Sequence, residues 1–132
     1  MKTDKSALCG SPSRDAFKLW HKTLPRNLWA LDIDFIFVEK NPPRIVAILD
    51  YKRWADQVTF TECLAFNDLM IHYPVFIIRG EQPFDRLSIY RYLGGDWHPD
   101  PPRVKMEPQL ENITREEYVQ WEVRLRNDGC GV

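Results

Sequence analysis

The chain has 132 residues, of which 44% are hydrophobic and 28% are charged, and its net charge is −1. This composition excludes a disordered protein, and no segment approaches the roughly 20 apolar residues that cross a bilayer. The near-neutral charge disfavours a DNA-binding protein that relies on a global excess of basic residues.

Length and the N-terminal sequence set further expectations. A chain of 132 residues predicts one domain over 1–132, with loose tails at 1–10 and 127–132. The N-terminal sequence has no apolar signal core, which predicts a cytoplasmic protein. The three cysteines form no CxxC pair and predict neither a disulfide framework nor a zinc site.

The first part of the chain predicts one helix followed by a β-hairpin. Ser11 and Pro12 are a typical helix start, and apolar residues recur with a helical period until Pro25. Two β-rich stretches follow at 31–40 and 44–52, and the Asn-Pro-Pro between them predicts the turn. The second stretch has an unbroken apolar run, which indicates a central strand covered on both faces.

The rest of the chain predicts a helix that returns to a strand parallel to the second one, a further strand and a last helix. A capping box formed by Thr114 and Glu117 marks the start of the last helix. The fold class is therefore α/β, with a mixed sheet and flanking helices. The helix is predicted at 57–71, and the two strands are predicted at 73–80 and 86–93. An irregular proline-rich segment is predicted at 94–108, and the last helix at 114–127.

The register of the hairpin decides whether its charged residues share one site. With a three-residue turn that ends at Pro43, Asp34 lies opposite Asp50 and Asp32 lies opposite Lys52, all on one face. A two-residue turn would shift the register and separate the two aspartates. Facing carboxylates destabilise a fold unless a cation compensates for their charge, and oxygen ligands are what Mg²⁺ prefers.

This arrangement resembles the PD-(D/E)XK nuclease superfamily, which has the restriction-endonuclease-like fold. The family motif is an Asp on one strand and Asp/Glu-x-Lys on the next, matched here by Asp34 in LDIDF and by the DYK of ILDYK. The resemblance covers 31–79. It implies that Asp34, Asp50 and the main-chain carbonyl of Tyr51 hold Mg²⁺, for which Mn²⁺ substitutes. It also implies that Lys52 is the catalytic cation near the attacking water.

The chain departs from the family pattern at several positions. Ile33 stands before Asp34 where the family often has Pro, and the first helix offers Asp15 where many members have Glu. Asp32 is an alternative to Asp34 as the first ligand. Basic residues near the motif and on the first helix are candidate nucleic-acid contacts, although each also fits a solvated surface. These residues are Arg53, Arg79, Lys18 and Lys22.

The resemblance implies a Mg²⁺-dependent DNA endonuclease or nickase, of a phage-encoded or resolvase-like kind. Its partner would be DNA and not a membrane, and a homodimer is compatible with the resemblance. The alternative is a catalytically inactive module that keeps the fold and binds protein or nucleic acid. The missing first-helix Glu and the near-neutral charge favour this module. A third interpretation is an exposed hairpin with an Asp32–Lys52 ion pair worth under about 1 kcal/mol.

Overall fold

The structure is a computed structural model that describes residues 12–23, 31 and 33–127. The chain divides into two compact units, Met1–Ala30 and Leu31–Val132. The first unit contains helix α1 (Pro12–His21), which ends earlier than the predicted limit at Pro25. It stops there because the backbone N–H and the hydroxyl of Thr23 both donate to the carbonyl of Trp20, at 2.9 and 2.6 Å.

The second unit is a five-stranded mixed sheet with two helices, one in the crossover between the second and third strands and one after the fifth strand. Its strands follow the chain order across the sheet; the second and third strands are parallel, and all other neighbours are antiparallel. Within the described ranges, no helix is long and apolar enough to cross a membrane. The elements are β1 (Phe35–Lys40), β2 (Pro43–Lys52), α2 (Phe60–Leu69), β3 (Val75–Gly80), β4 (Leu87–Asp96), β5 (Arg103–Ile113) and α3 (Arg115–Asn127).

Apolar side chains cover β2 on both faces, as the unbroken apolar run predicts. On one face, Ile48 packs with Cys63 and Phe66 of α2. On the other face, Leu49 belongs to a cluster that includes Trp121 and Leu125 of α3. The predicted central position of β2 and the parallel return through α2 to β3 are therefore confirmed.

The segment 94–108 is not irregular, as the sequence had suggested, because most of it belongs to β4 and β5. Val104 and Met106 pack on the α2 side of the sheet while Lys105 is exposed, so this stretch alternates as a strand does. The high proline content of this segment is the reason that the prediction was wrong. Pro108 fits because β5 is an edge strand and because the ladder shifts register beside it.

The hairpin contains a β-bulge that the sequence analysis did not anticipate. Its turn has two residues, since Lys40 pairs with Pro43, so the predicted three-residue turn is wrong. Val46 has no pairing partner on β1, although Ile45 and Ala47 on either side of it are paired, so the register shifts by one. Beyond the bulge Phe35 pairs with Leu49. This pair has the register that was predicted for the hairpin, and the ladder ends there, directly before Asp34 and Asp50.

Asn67 of α2 fixes the helix to the end of β4. Its side chain donates to the carbonyl of Gly95 at 3.0 Å and accepts the Gly95 N–H at 3.0 Å. It also accepts the hydroxyl of the buried Tyr92 at 2.7 Å. One amide therefore satisfies three polar groups between α2 and the sheet.

Asn67→Ala is expected to lower the free energy of unfolding by about 2 kcal/mol, because it leaves these polar groups without their partner. Asp68→Ala, at an exposed position of the same helix, is the matched control and should change it by less than about 0.5 kcal/mol. Urea unfolding followed by circular dichroism measures both variants. Equal losses in the two variants would contradict this role of Asn67.

Candidate functional site

Two charged side chains are buried at the end of the central strand. Asp50 is 3% exposed and Lys52 is 8% exposed. Both lie on the α2 face of β2, because side chains two residues apart share a face and Ile48 packs against α2. Burying a charge is costly unless it is paired or serves a function. The end of β2 is therefore the candidate site.

Glu62 of α2 is the main partner of Lys52. The Lys52 Nζ lies 2.7 Å from Oε1 and 2.8 Å from Oε2 of Glu62. A capping box orients Glu62, since its Oε1 accepts the Thr59 N–H at 2.9 Å and its N–H donates to the Thr59 hydroxyl at 3.2 Å. The sequence analysis missed Glu62. The available signal was Thr59-x-x-Glu62, the same capping pattern that marks the start of α3.

One carboxylate oxygen of Asp50 lacks a hydrogen bond. Lys52 Nζ approaches Asp50 Oδ2 to 3.2 Å, but without hydrogen-bonding geometry, and this buried oxygen has no other partner. Burial raises the pKa of Asp50 to about 7; Lys52 opposes the shift, and the charges of Glu62 and Asp34 add to it. A buried oxygen of this kind is a position that a cation or a hydrogen-bond donor would satisfy.

Lys52 remains an ammonium group in this environment. Burial by itself lowers the pKa of Lys52, but the hydrogen bond to Glu62 and the charge of Asp50 outweigh it, and the pKa is raised. Lys52 therefore carries a fixed positive charge beside the Asp50 carboxylate.

Asp34 lies just before β1 and closes the site on the β1 side. Its Oδ2 accepts the backbone N–H of Tyr51 at 2.8 Å. This contact takes the place of a ladder bond and explains why β1 begins at Phe35 and not at residue 31 as predicted. Because the N–H and C=O of one strand residue point to the same side, the Tyr51 carbonyl is directed toward Asp34.

Among the described residues, the site offers oxygen ligands, but too few acidic side chains to hold a metal ion by protein side chains alone. Residues 12–23, 31 and 33–127 contain no cluster of three or more His, Cys, Asp or Glu side chains that could hold a metal. Asp34, Asp50 and the Tyr51 carbonyl instead offer two carboxylates and one main-chain oxygen. Mg²⁺ is commonly held by only one or two carboxylates, with water completing its shell. The unpartnered Asp50 oxygen is where a cation would compensate for the buried charge.

The two arginines that were predicted to contact nucleic acid form hydrogen bonds with the loop after β2. Arg53 forms a two-point contact with Asp56, at 3.1 Å for each pair of atoms. Arg79 of β3 donates to the carbonyls of Arg53 and Trp54 at 3.0 and 3.3 Å, and to that of Asp56. Both guanidinium groups thus organise the loop that leaves the site. Their contact with a phosphate remains a prediction.

The other predicted residues belong to the first unit or to undescribed positions. Asp15 lies in the first turn of α1, and Lys18 lies in its last turn. Lys22 follows the helix and is exposed. Asp32, the alternative first ligand, lies outside the described residues. The structure thus brings together Asp34, Asp50, Tyr51 and Lys52, and it adds Glu62.

Comparisons with family models, with curated proteins and with solved structures gave no match to this chain. The chemistry of the site is therefore the basis for any assignment of function.

Proposed function

We propose that this protein is a Mg²⁺-dependent nuclease that hydrolyses phosphodiester bonds in DNA as an endonuclease or nickase. One observation carries the proposal: the buried Asp50 has an oxygen without a hydrogen bond, next to a fixed ammonium, and Asp34 accepts the N–H of the adjacent Tyr51. The proposal includes the restriction-endonuclease-like fold. The parallel β2-α2-β3 crossover, with β1 antiparallel on the outer side, supports that fold.

Asp34, Asp50 and the Tyr51 carbonyl would hold Mg²⁺, which supplies Lewis-acid chemistry by activating water and neutralising phosphate charge. Mn²⁺ is expected to substitute. Lys52 provides positive charge where the phosphate becomes more negative in the transition state. Its burial keeps bulk water from screening that charge. The Asp34 carboxylate is fixed before substrate arrives, because the Tyr51 N–H already holds it.

The second candidate is an inactive module that binds protein or nucleic acid through the same fold. It is favoured by the engagement of Lys52 with both Asp50 and Glu62, since such a network can be purely structural. The two candidates differ in their response to metal. The nuclease should gain thermal stability from Mg²⁺ or Mn²⁺, and Asp50→Ala should abolish that gain, whereas the module should show neither effect.

Cleavage assays with supercoiled plasmid and branched DNA in Mn²⁺ test the nuclease directly. Wild type should cut, and Asp34→Ala and Lys52→Ala should each reduce the rate at least about 100-fold. Glu39→Ala is the matched control, because this carboxylate lies at the far end of β1 and pairs with Arg44. Cleavage that survives both site substitutions would overturn the assignment.

A further inference from the structure

The glutamate in the capping box of α2 has different surroundings from the glutamate in the equivalent capping box of α3. In both helices the Glu carboxylate accepts the N–H of the Thr three residues earlier, at 2.9 Å for Glu62 and 2.8 Å for Glu117. Glu117 is exposed, whereas Glu62 is half-buried and contacts Lys52 with both oxygens. Capping alone therefore does not explain the placement of Glu62.

Lys52 is shared unequally between two carboxylates. Its Nζ lies 2.7 and 2.8 Å from the two oxygens of Glu62, but 3.2 Å from Asp50 and without hydrogen-bonding geometry. We infer that Glu62 is a positioning residue that keeps the Lys52 ammonium out of a hydrogen bond with Asp50, leaving the two in a longer ion pair, and so keeps the Asp50 carboxylate available for a divalent cation. This inference rests on the proposed function, because it assumes that Asp50 binds the cation.

Without the charge of Glu62, the ammonium would have Asp50 as its nearest anionic partner. A hydrogen-bonded ion pair in a buried site is stronger than the present one at 3.2 Å and would compete with a cation for the same carboxylate. Glu62 is well suited to prevent this pairing, because the Thr59 N–H fixes its carboxylate. Both Glu62 oxygens are already engaged, which argues for an indirect role rather than for metal ligation.

Mn²⁺ affinity of the full chain, measured by isothermal titration calorimetry, tests the inference without relying on activity. Glu62→Gln keeps the length of the side chain and the capping oxygen but removes the charge. We expect its Kd for Mn²⁺ to rise about tenfold, as is typical when a partner of a metal ligand is lost. Thr59→Ala removes only the hydroxyl that accepts the Glu62 N–H and should leave the Kd within about twofold.

A double-mutant cycle separates positioning from a simple charge effect. If Glu62 acts through Lys52, then Glu62→Gln should not weaken Mn²⁺ binding further in a Lys52→Met background. If the tenfold loss persists in that background, the charge of Glu62 acts on the cation directly, and the inference is overturned.

A crystal structure of the metal-free Glu62→Gln variant provides the second readout. We expect Lys52 Nζ to move into a hydrogen bond with Asp50; an ammonium that stays on residue 62 overturns the inference. Failure of the wild type to bind Mn²⁺ would overturn the proposed function and this inference together. Normal wild-type binding with an unchanged Kd in Glu62→Gln would overturn this inference alone.

Discussion

Asp50→Asn is expected to stabilise the metal-free protein at neutral pH while it lowers the proposed nuclease activity at least about 100-fold. Asparagine keeps the shape of the side chain but carries no charge, so burial no longer raises the free energy of the folded state. Lys52 keeps Glu62 as its partner, at 2.7 Å. A substitution that improves stability and removes activity identifies a residue retained for chemistry and not for folding.

The stabilisation should depend on pH in a defined direction. The pKa of Asp50 rises from 3.8 to about 7 on folding, so the folded state binds the proton more tightly than the unfolded state. The wild type therefore loses stability as the pH rises from about 4 to 7. The advantage of Asp50→Asn should be near zero below this window and should reach on the order of 4 kcal/mol above it.

Urea unfolding in the presence of EDTA, across this pH range, measures the difference between the two proteins. Glu39→Gln is the matched control, because Glu39 lies on the same hairpin in an ion pair with Arg44. That control should cut DNA normally and should show no comparable gain in stability. A loss of stability in Asp50→Asn at pH 8 would contradict the prediction.

Lys52→Met is expected to lower the free energy of unfolding of the metal-free protein by about 3 kcal/mol. The substitution leaves Asp50 and Glu62 close to each other and removes the cation that compensates for both, which is the costly way to break a buried ion pair. Methionine preserves most of the volume, so a cavity contributes little to this loss.

Arg44→Met provides the control for Lys52→Met on the same strand. Arg44 also pairs with a carboxylate, Glu39 at 2.6 Å, but its side chain is 26% exposed compared with 9% for Lys52. Its replacement should cost less than about 1 kcal/mol. Adding Mg²⁺ should restore part of the stability of Lys52→Met, measured as a rise in Tm. Equal losses in the two variants would contradict a special role for Lys52.

The end of the hairpin that carries the site could be predicted from the sequence, but the bulge could not. Asp50 and Lys52 stand at the end of an apolar run, which marks where the covered strand β2 ends and where the candidate site begins. That same run hides the bulge, because residues 45–49 are all apolar and both faces of β2 are buried. Without alternation, the pattern contains no sign that one residue is extra.

The sequence did not predict Glu62 at the site, and the reason differs from the one that applies to the bulge. Its capping pattern with Thr59 marks where α2 begins, but local sequence does not specify how that helix crosses the sheet. Only the tertiary packing of α2 on β2 brings the Glu62 carboxylate to Lys52. The missed strand β5 shows the opposite error, in which local proline content was given more weight than position at the edge of the sheet.

The bulge at Val46 separates the geometry of the turn from that of the site. Regular pairing continued from Lys40 and Pro43 would set Asp34 opposite Leu49, whose side chain packs on the α3 face. The extra residue corrects this offset before the strand reaches Asp50. A one-residue insertion in the turn and a deletion of Val46 should therefore compensate for each other. The turn can thus change in length by one residue without moving the two aspartates apart, provided that the bulge changes with it.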